Sequence, residues 1–306
     1  MTSPSPQNPG ALNWILIVSL GIIWGAAFML TSLALDGFDF WTVAAARNLL
    51  GGLALWAVCI ALGQPIRNIR SRKAWMAIVA IGLGALALPI AMLSWGLQYV
   101  PSAFAGVAMG GVPLLVLPLV AIFSPEEGIG PRRIIGLFLG FAGLAILLGP
   151  DAFAASGRDL ETWGRLACLA AAACYACGSI ITRRAPKTPP LPFATATLLV
   201  ASLPLVPIAL ITEGLPQSYP VLPTSALILA ALLPTALAAV IRVRVITTAG
   251  SLFMSLTSYQ VPVWSVIFGI ALMGEALPPQ LYAALALILA GIAISQSRAW
   301  HARKTG

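Results

Sequence analysis

Apolar residues fill this chain in long runs, and polar residues come mostly in short clusters between them. A helix needs about 20 mostly apolar residues to cross the hydrocarbon of a bilayer. Ten such runs can be read: 13–35, 40–63, 74–99, 102–124, 132–149, 163–182, 193–212, 224–241, 251–273 and 279–297. Pro, Gly and charge mark the breaks, as in "LGQP", "YVPS", "FSPEEGIGP", "RRAPKTPP", "TEGLPQSYPVLP", "TAGS" and "GEALPP". The expected fold is an all-α membrane protein, because an open sheet leaves backbone groups unsatisfied in lipid. Residues 1–12 read as a disordered leading segment, and residues 298–306 as a polar tail. "MTSPSPQNPG" has no positive charge and the run after it is too long for a signal h-region, so no cleavable signal is expected.

Composition supports the same class. Of 306 residues, 59% are hydrophobic and 8% charged, and the mean hydropathy is +0.96. A soluble protein of this size needs far more charged surface. The net charge of +8 does not point to nucleic acid, because the 17 Lys and Arg lie in small groups with no basic stripe. Those groups assign sides instead. With the N-terminus inside, inner segments hold fourteen basic residues, among them Arg67, Arg70, Arg72, Lys73, Arg183, Arg184, Arg242 and Arg244. Outer segments hold only Arg158 and Arg165, and Arg47 falls within span 2. This asymmetry places both termini in the cytoplasm. Arg242 and Arg244 then close span 8 at its cytoplasmic end. About 200° apart on a helix, they cannot both line one cavity, so snorkelling to lipid phosphate is the primary reading. A gating role for Arg244 is the alternative.

The halves echo each other. "VPLLVLPLVAIFSPEEGIGPRRIIGLFLGFAGLAIL" from Val112 matches "VPVWSVIFGIALMGEALPPQLYAALALILAGIAI" from Val261. Pro113 falls on Pro262 and Glu126 on Glu275, both at an offset of 149. Trp24-Gly25 falls near Tyr175-Ala176. Five spans per half is an odd number, so the halves, 13–150 and 163–297, enter the membrane in opposite directions. Two inverted repeats with a site where they meet near the midplane is a transporter design.

The chain resembles the EamA-type transporters of the drug/metabolite transporter superfamily. The resemblance covers nearly the whole chain. It rests on "WGAAF" at 24–28, Arg47, "GLQYVPSAFAGV", "TAGSLFMSLTSYQVPVWSVIFG", "MGEAL" and "LILAGI". It implies ten transmembrane helices as two inverted five-helix repeats, with spans 1, 3, 4, 6, 8 and 9 around a central cavity. One departure is "SPEE" in place of the family's Gly-Glu after span 4, which puts the helix-end contacts of Glu126 in question. Within the family the chain looks most like bacterial amino-acid exporters, including the aromatic type.

On the spans that this resemblance places at the cavity, polar and aromatic residues share helical faces. These are Trp24 with Phe28, Met92 with Trp95 and Tyr99, Tyr175 with Ser179 and Thr182, and Ser251, Ser255 and Ser258 with Tyr259 nearby. Each has a structural alternative: aromatics anchor at interfaces, and serines bond their own backbone or a neighbouring helix. Pro89, Pro113, Pro234 and Pro262 lie inside spans and are expected to kink them as hinges. Arg47 within a span needs a partner. A structural pair with Asp36, Asp39 or span-end carbonyls is expected, and a substrate carboxylate is the other reading. Gly21/Gly25, Gly106/Gly110 and Gly136/Gly140 have the spacing of close helix crossings. "CYAC" (Cys174, Cys177) reads as small-residue packing, since no other Cys or His is near in sequence, and neither metal nor cofactor is expected.

The reading is a non-enzymatic secondary transporter in the bacterial plasma membrane. It exports amino acids with aromatic or other large apolar side chains by alternating access. All nine acidic residues lie at span ends or in loops, which favours a uniporter. The rivals are proton-driven efflux of drugs or other metabolites, and an intramembrane enzyme. The second lacks a catalytic set at membrane depth, because the one histidine, His301, is in the tail. The expected partners are a small-molecule substrate and the lipid bilayer, without nucleic acid.

Overall fold

The computed structural model describes residues 10–123, 131–148 and 160–301. Expectations for residues 1–9, Glu126 and Glu127, the 149–159 segment and the tail beyond 301 lie outside the described residues. Among those described, ten helical rods account for the architecture. They are α1 (Ala11–Leu35), α2 (Phe40–Ala61), α3 (Arg72–Gly96), α4 (Ser102–Gly110 and Val112–Phe123) and α5 (Pro131–Leu148). The second five are α6 (Leu160–Arg184), α7 (Pro190–Thr212), α8 (Val221–Ala249), α9 (Ser251–Met254 and Thr257–Ala271) and α10 (Pro279–His301). Among the described residues, eight helices, α1 to α8, are long and apolar enough to cross a membrane. The chain is therefore a multi-pass membrane protein. Helices suit that solvent because each satisfies its own backbone.

Helix ends follow local chemistry. After α2, Gly63 takes φ +65°, and the Gly63 and Gln64 amides return to the Ile60 and Cys59 carbonyls, a stop that only glycine enters without strain. One boundary differs from expectation. Span 8 does not end near Arg242 but runs on to Ala249, where Gly250 at φ +89° stops it. Arg242 and Arg244 are thus exposed side chains inside a helix, two turns from its end.

Two rods are wound irregularly. α3 contains a π-helical stretch, Gly82–Ala87, and α8 contains another, Leu232–Leu237. They lie 150 residues apart, each in the third rod of its half. The fourth rods are interrupted too, α4 at Gly111 and α9 at Ser255–Leu256.

Rods pair along their lengths: α5 with α10, α2 with α7, α1 with α9, and α3 with α6. Small residues permit the crossings. Gly21 and Gly25 face Gln260 and Trp264, Gly106 and Gly110 face Ser265 and Pro262, and Gly136 and Gly140 face Gly291 and Leu114. The two segments of α4 take different partners. Ser102–Gly110 packs along α9, whereas Val112–Phe123 packs on α6 and α5. The short first segment of α9 packs instead on the last part of α8. α4 and α9 therefore run together from the end bearing Ser102 and separate beyond Gly110 and Pro262. The end toward which they separate is also the basic end. It gathers Asn13 of α1, bonded through Oδ1 to Thr248 Oγ1 of α8 at 2.8 Å, and the exposed Arg67, Arg70, Arg183, Arg184 and Arg244.

Candidate functional site

The residues expected at a cavity divide into groups. Met92 of α3, Tyr175 of α6 and Tyr259 of α9 all pack, half-buried, against one apolar cluster that includes Phe28, Leu93, Leu97 and Phe104. Rods from both halves meet there. Trp95 and Tyr99 form an edge-on ring pair with centroids 5.1 Å apart, nearer the end opposite the basic one. Trp24 belongs elsewhere: it packs with Ile17, Leu20, Ala238 and Phe253, and its indole Nε1 donates to the Pro234 carbonyl at 3.1 Å. That carbonyl lies in the π-helical turn of α8, where the α-helical ladder is displaced.

The hydroxyls are mostly committed to their own helices. Ser179 Oγ donates to the Ala176 carbonyl at 2.7 Å and Thr182 Oγ1 to Gly178 at 2.8 Å. Ser255 and Ser258 are half-buried at the interruption of α9, where the Ser258 amide closes onto the Ser255 carbonyl at 3.1 Å. Pro113 sits just after the break in α4, Pro89 just after the π-helical stretch of α3, Pro234 inside that of α8, and buried Pro262 in mid-α9 over Gly110. Each of these four prolines lies at or beside an irregular or closely packed point of its rod.

Arg47 departs from expectation. Neither Asp36 nor Asp39 is its partner. Its Nη1 donates to Thr31 Oγ1 of α1 at 3.1 Å, and its Nε to Thr235 Oγ1 of α8 at 3.4 Å. Those hydroxyls in turn donate to the Ala27 carbonyl at 2.7 Å and the Ala230 carbonyl at 3.1 Å. The Tyr175 phenol of α6 is close enough to couple electrostatically to the guanidinium. The reason is direction: Asp36 and Asp39 are exposed at the rim, while the long Arg47 side chain reaches between rods. Sequence reasoning passed over Thr31 and Thr235. Their one signal is a polar residue within an apolar run, and threonines so placed commonly bond only their own helix.

The described acids work at the ends. Glu213 accepts from the Trp41 amide at 2.9 Å and from the Thr42 amide and hydroxyl at 2.7 Å each, capping α2. Glu275 accepts from the Ser102 amide at 2.6 Å and the Ala103 amide at 3.1 Å, capping α4. A carboxylate opposite a helix N-terminus meets orphan N–H groups and the positive end of the dipole. Arg165 forms an ion pair with Glu161 one turn away. A crevice of about 560 Å³ opens beside Asp36, Asp39 and Glu213 at the rim. Of the "CYAC" pair, Cys174 is half-buried but Cys177 is exposed, so packing accounts for the first alone. Among the described residues no group of His, Cys, Asp and Glu is placed to hold a metal.

An all-helical multi-pass bundle with polar groups between its rods defines the class as a membrane protein. The sequence comparison makes the class specific: the EamA-like transporter family matches residues 12–149 and 162–296, and the chain belongs to that family. That family is one of transporters. It is 30% identical over 205 residues to a WAT1-related chloroplastic protein of Arabidopsis thaliana, covering 66% of this chain and 48% of that one. The chain spans about half the length of the first curated relatives it matches. A protein of Streptantibioticus cattleyicolor named "Probable terminal-alkyne amino-acid exporter" is 25% identical over 301 residues, 95% of each chain. One solved crystal structure shares the fold over 95% of this chain and 98% of its own, at 22% identity and a TM-score of 0.67.

Proposed function

We propose that this chain is a secondary transporter that exports amino acids with aromatic or other large apolar side chains. The halves 13–150 and 163–297 form two inverted five-helix repeats, ten transmembrane helices in all. The π-helical stretches 150 residues apart and the interrupted fourth rods support that reading. The observation that carries the function is the join between the halves. Met92, Tyr175 and Tyr259 rim one apolar cluster there, which suits a large apolar side chain. The likeness to an amino-acid exporter along 95% of the chain points the same way.

The basic end faces the cytoplasm by the positive-inside rule, so both termini lie there, and the membrane is a bacterial plasma membrane. The separation of α4 and α9 toward that end fits an inward-facing arrangement. Alternating access then exchanges the partners of α4 and α9 about Gly110 and Pro262. Among the described residues each acid is engaged or exposed at an end, so none is positioned to carry a proton at membrane depth. The substrate runs down its own gradient.

Purified protein in liposomes loaded with labelled phenylalanine, leucine or glycine tests this. Flux of the two large amino acids, above that of glycine and without a pH or sodium gradient, is the expected result. Uphill accumulation driven by either gradient would overturn the uniport mechanism, and absence of amino-acid flux the substrate class.

A further inference from the structure

Arg47 is a permanent cation held between rods, and the described protein supplies it no anion. It lies seven residues inside α2, about 10 Å from the helix start at the usual rise. Its partners extend it inward. Thr235 is near the midpoint of the 29-residue α8, and Thr31 is fully buried in α1. The five described acids are all elsewhere: Asp36 and Asp39 exposed at the rim, Glu161 on Arg165, and Glu213 and Glu275 on helix N-termini. A charged group at membrane depth without a counter-charge is costly, and such groups mark solute pathways.

The two threonines orient the guanidinium without neutralising it. Each hydroxyl proton is committed to a backbone carbonyl, so each oxygen turns its lone pairs to Arg47. Together they engage Nε and Nη1, two of the five N–H donors. The rest of the fork is left to meet a planar anion. Arg47 is half-buried, so part of its surface stays open. Tyr175 of α6 interacts electrostatically with the guanidinium and packs on the same apolar cluster as Met92 and Tyr259. Tyr175 thus links the charge to the apolar wall.

We infer that Arg47, aligned by Thr31 and Thr235, is the carboxylate-binding subsite of the pathway. A monocarboxylate whose acid group meets the guanidinium lays its apolar body along Tyr175 and Met92. The inference deepens the amino-acid reading and rests on it for the identity of the cargo. The anion site itself does not require that the cargo be an amino acid.

The test separates the two. Binding of 3-phenylpropionate and of its neutral isostere 3-phenylpropionamide to the purified full chain is measured by thermal shift and equilibrium dialysis. The wild type is expected to prefer the acid by about tenfold or more, and Arg47→Gln to bring the ratio to about one, as loss of one charged hydrogen-bonded contact implies. Arg47→Lys should keep a reduced preference, since a point charge replaces the fork. A purely structural Arg47 would lower both affinities, or the folded yield, and leave the ratio unchanged. Equal binding of acid and amide by the wild type overturns the inference without any variant, so a misfolded Arg47→Gln does not shield it. Unchanged acid preference in folded Arg47→Gln also overturns it, and leaves amino-acid export standing if phenylalanine still moves in liposomes. Acid preference lost in Arg47→Gln, with no amino-acid flux in the wild type, sustains the anion subsite and sinks the cargo.

Discussion

Glu275 acts through two hydrogen bonds to backbone amides 172 and 173 residues away. It caps α4 and so ties the second half of the chain to the first. Glu275→Ala should lower stability by about 1–2 kcal/mol, the range for losing a cap and its dipole interaction. Glu275→Gln should cost less, because an amide oxygen still accepts one bond. Thermal unfolding in detergent checks the order, and equal, negligible shifts would mean that the cap is idle. At this scale little was legible. "MGEAL" marked Glu275 as notable, but nothing near it in sequence names Ser102 or Ala103. Arg47 was visible as a charge within a run, yet its neighbours in sequence, Asp36 and Asp39, suggested the wrong partners. Position along a helix says where a side chain starts, and only the packing of α1 and α8 says where it ends. Met92 and Tyr175 could be singled out from three- and four-residue spacing, a property of the helix alone, and both pack on one apolar cluster.

Among the helices, the crossing of α4 with α9 leaves no room for an added atom at Gly106. A methyl at Gly106 would collide with the buried Ser265, which bonds the Pro262 carbonyl through its hydroxyl at 2.9 Å. A methyl at Gly84, in the π-helical stretch of α3, meets nothing within 4 Å. Gly106→Ala is therefore expected to destabilise by about 1–3 kcal/mol, as overpacking does, and Gly84→Ala to be close to neutral. Denaturation of the two variants side by side decides it, and a Gly106→Ala protein as stable as the parent would show that α4 and α9 slide freely. Element boundaries were well read from runs of apolar residues, since lipid demands length and apolarity of each rod. The end of α8 was misplaced because Arg242 and Arg244 look like a terminus. The charges lie on exposed faces while the backbone ladder continues beneath them to Gly250. The π-helical stretches had no signal, because "GLGALA" and "LLPTAL" share no residue pattern that marks such winding.

Across the whole molecule, the repeat was legible from offsets of 149 residues between paired prolines and glutamates. The split partnership of α4 was not, since it is a choice between surfaces of similar composition. Orientation is open to direct measurement. A cysteine at exposed position 217, between α7 and α8, should react with an impermeant thiol reagent added to intact cells. One at exposed position 68, between α2 and α3, should react only after lysis. Labelling of position 68 in sealed cells would invert the topology. The paired π-helical stretches have a further consequence. A ladder that bonds five residues apart rather than four holds one residue more between the same neighbours. Each half thus stores a spare residue of contour, wound in without turning the helix beyond it. Removing one residue from 82–87 should let α3 close as a regular helix with Trp95 and Tyr99 in their present phase, and the protein should still fold. The same deletion at 20–24 of α1, a rod with no such stretch, would turn everything beyond it by about 100° and should abolish folded protein.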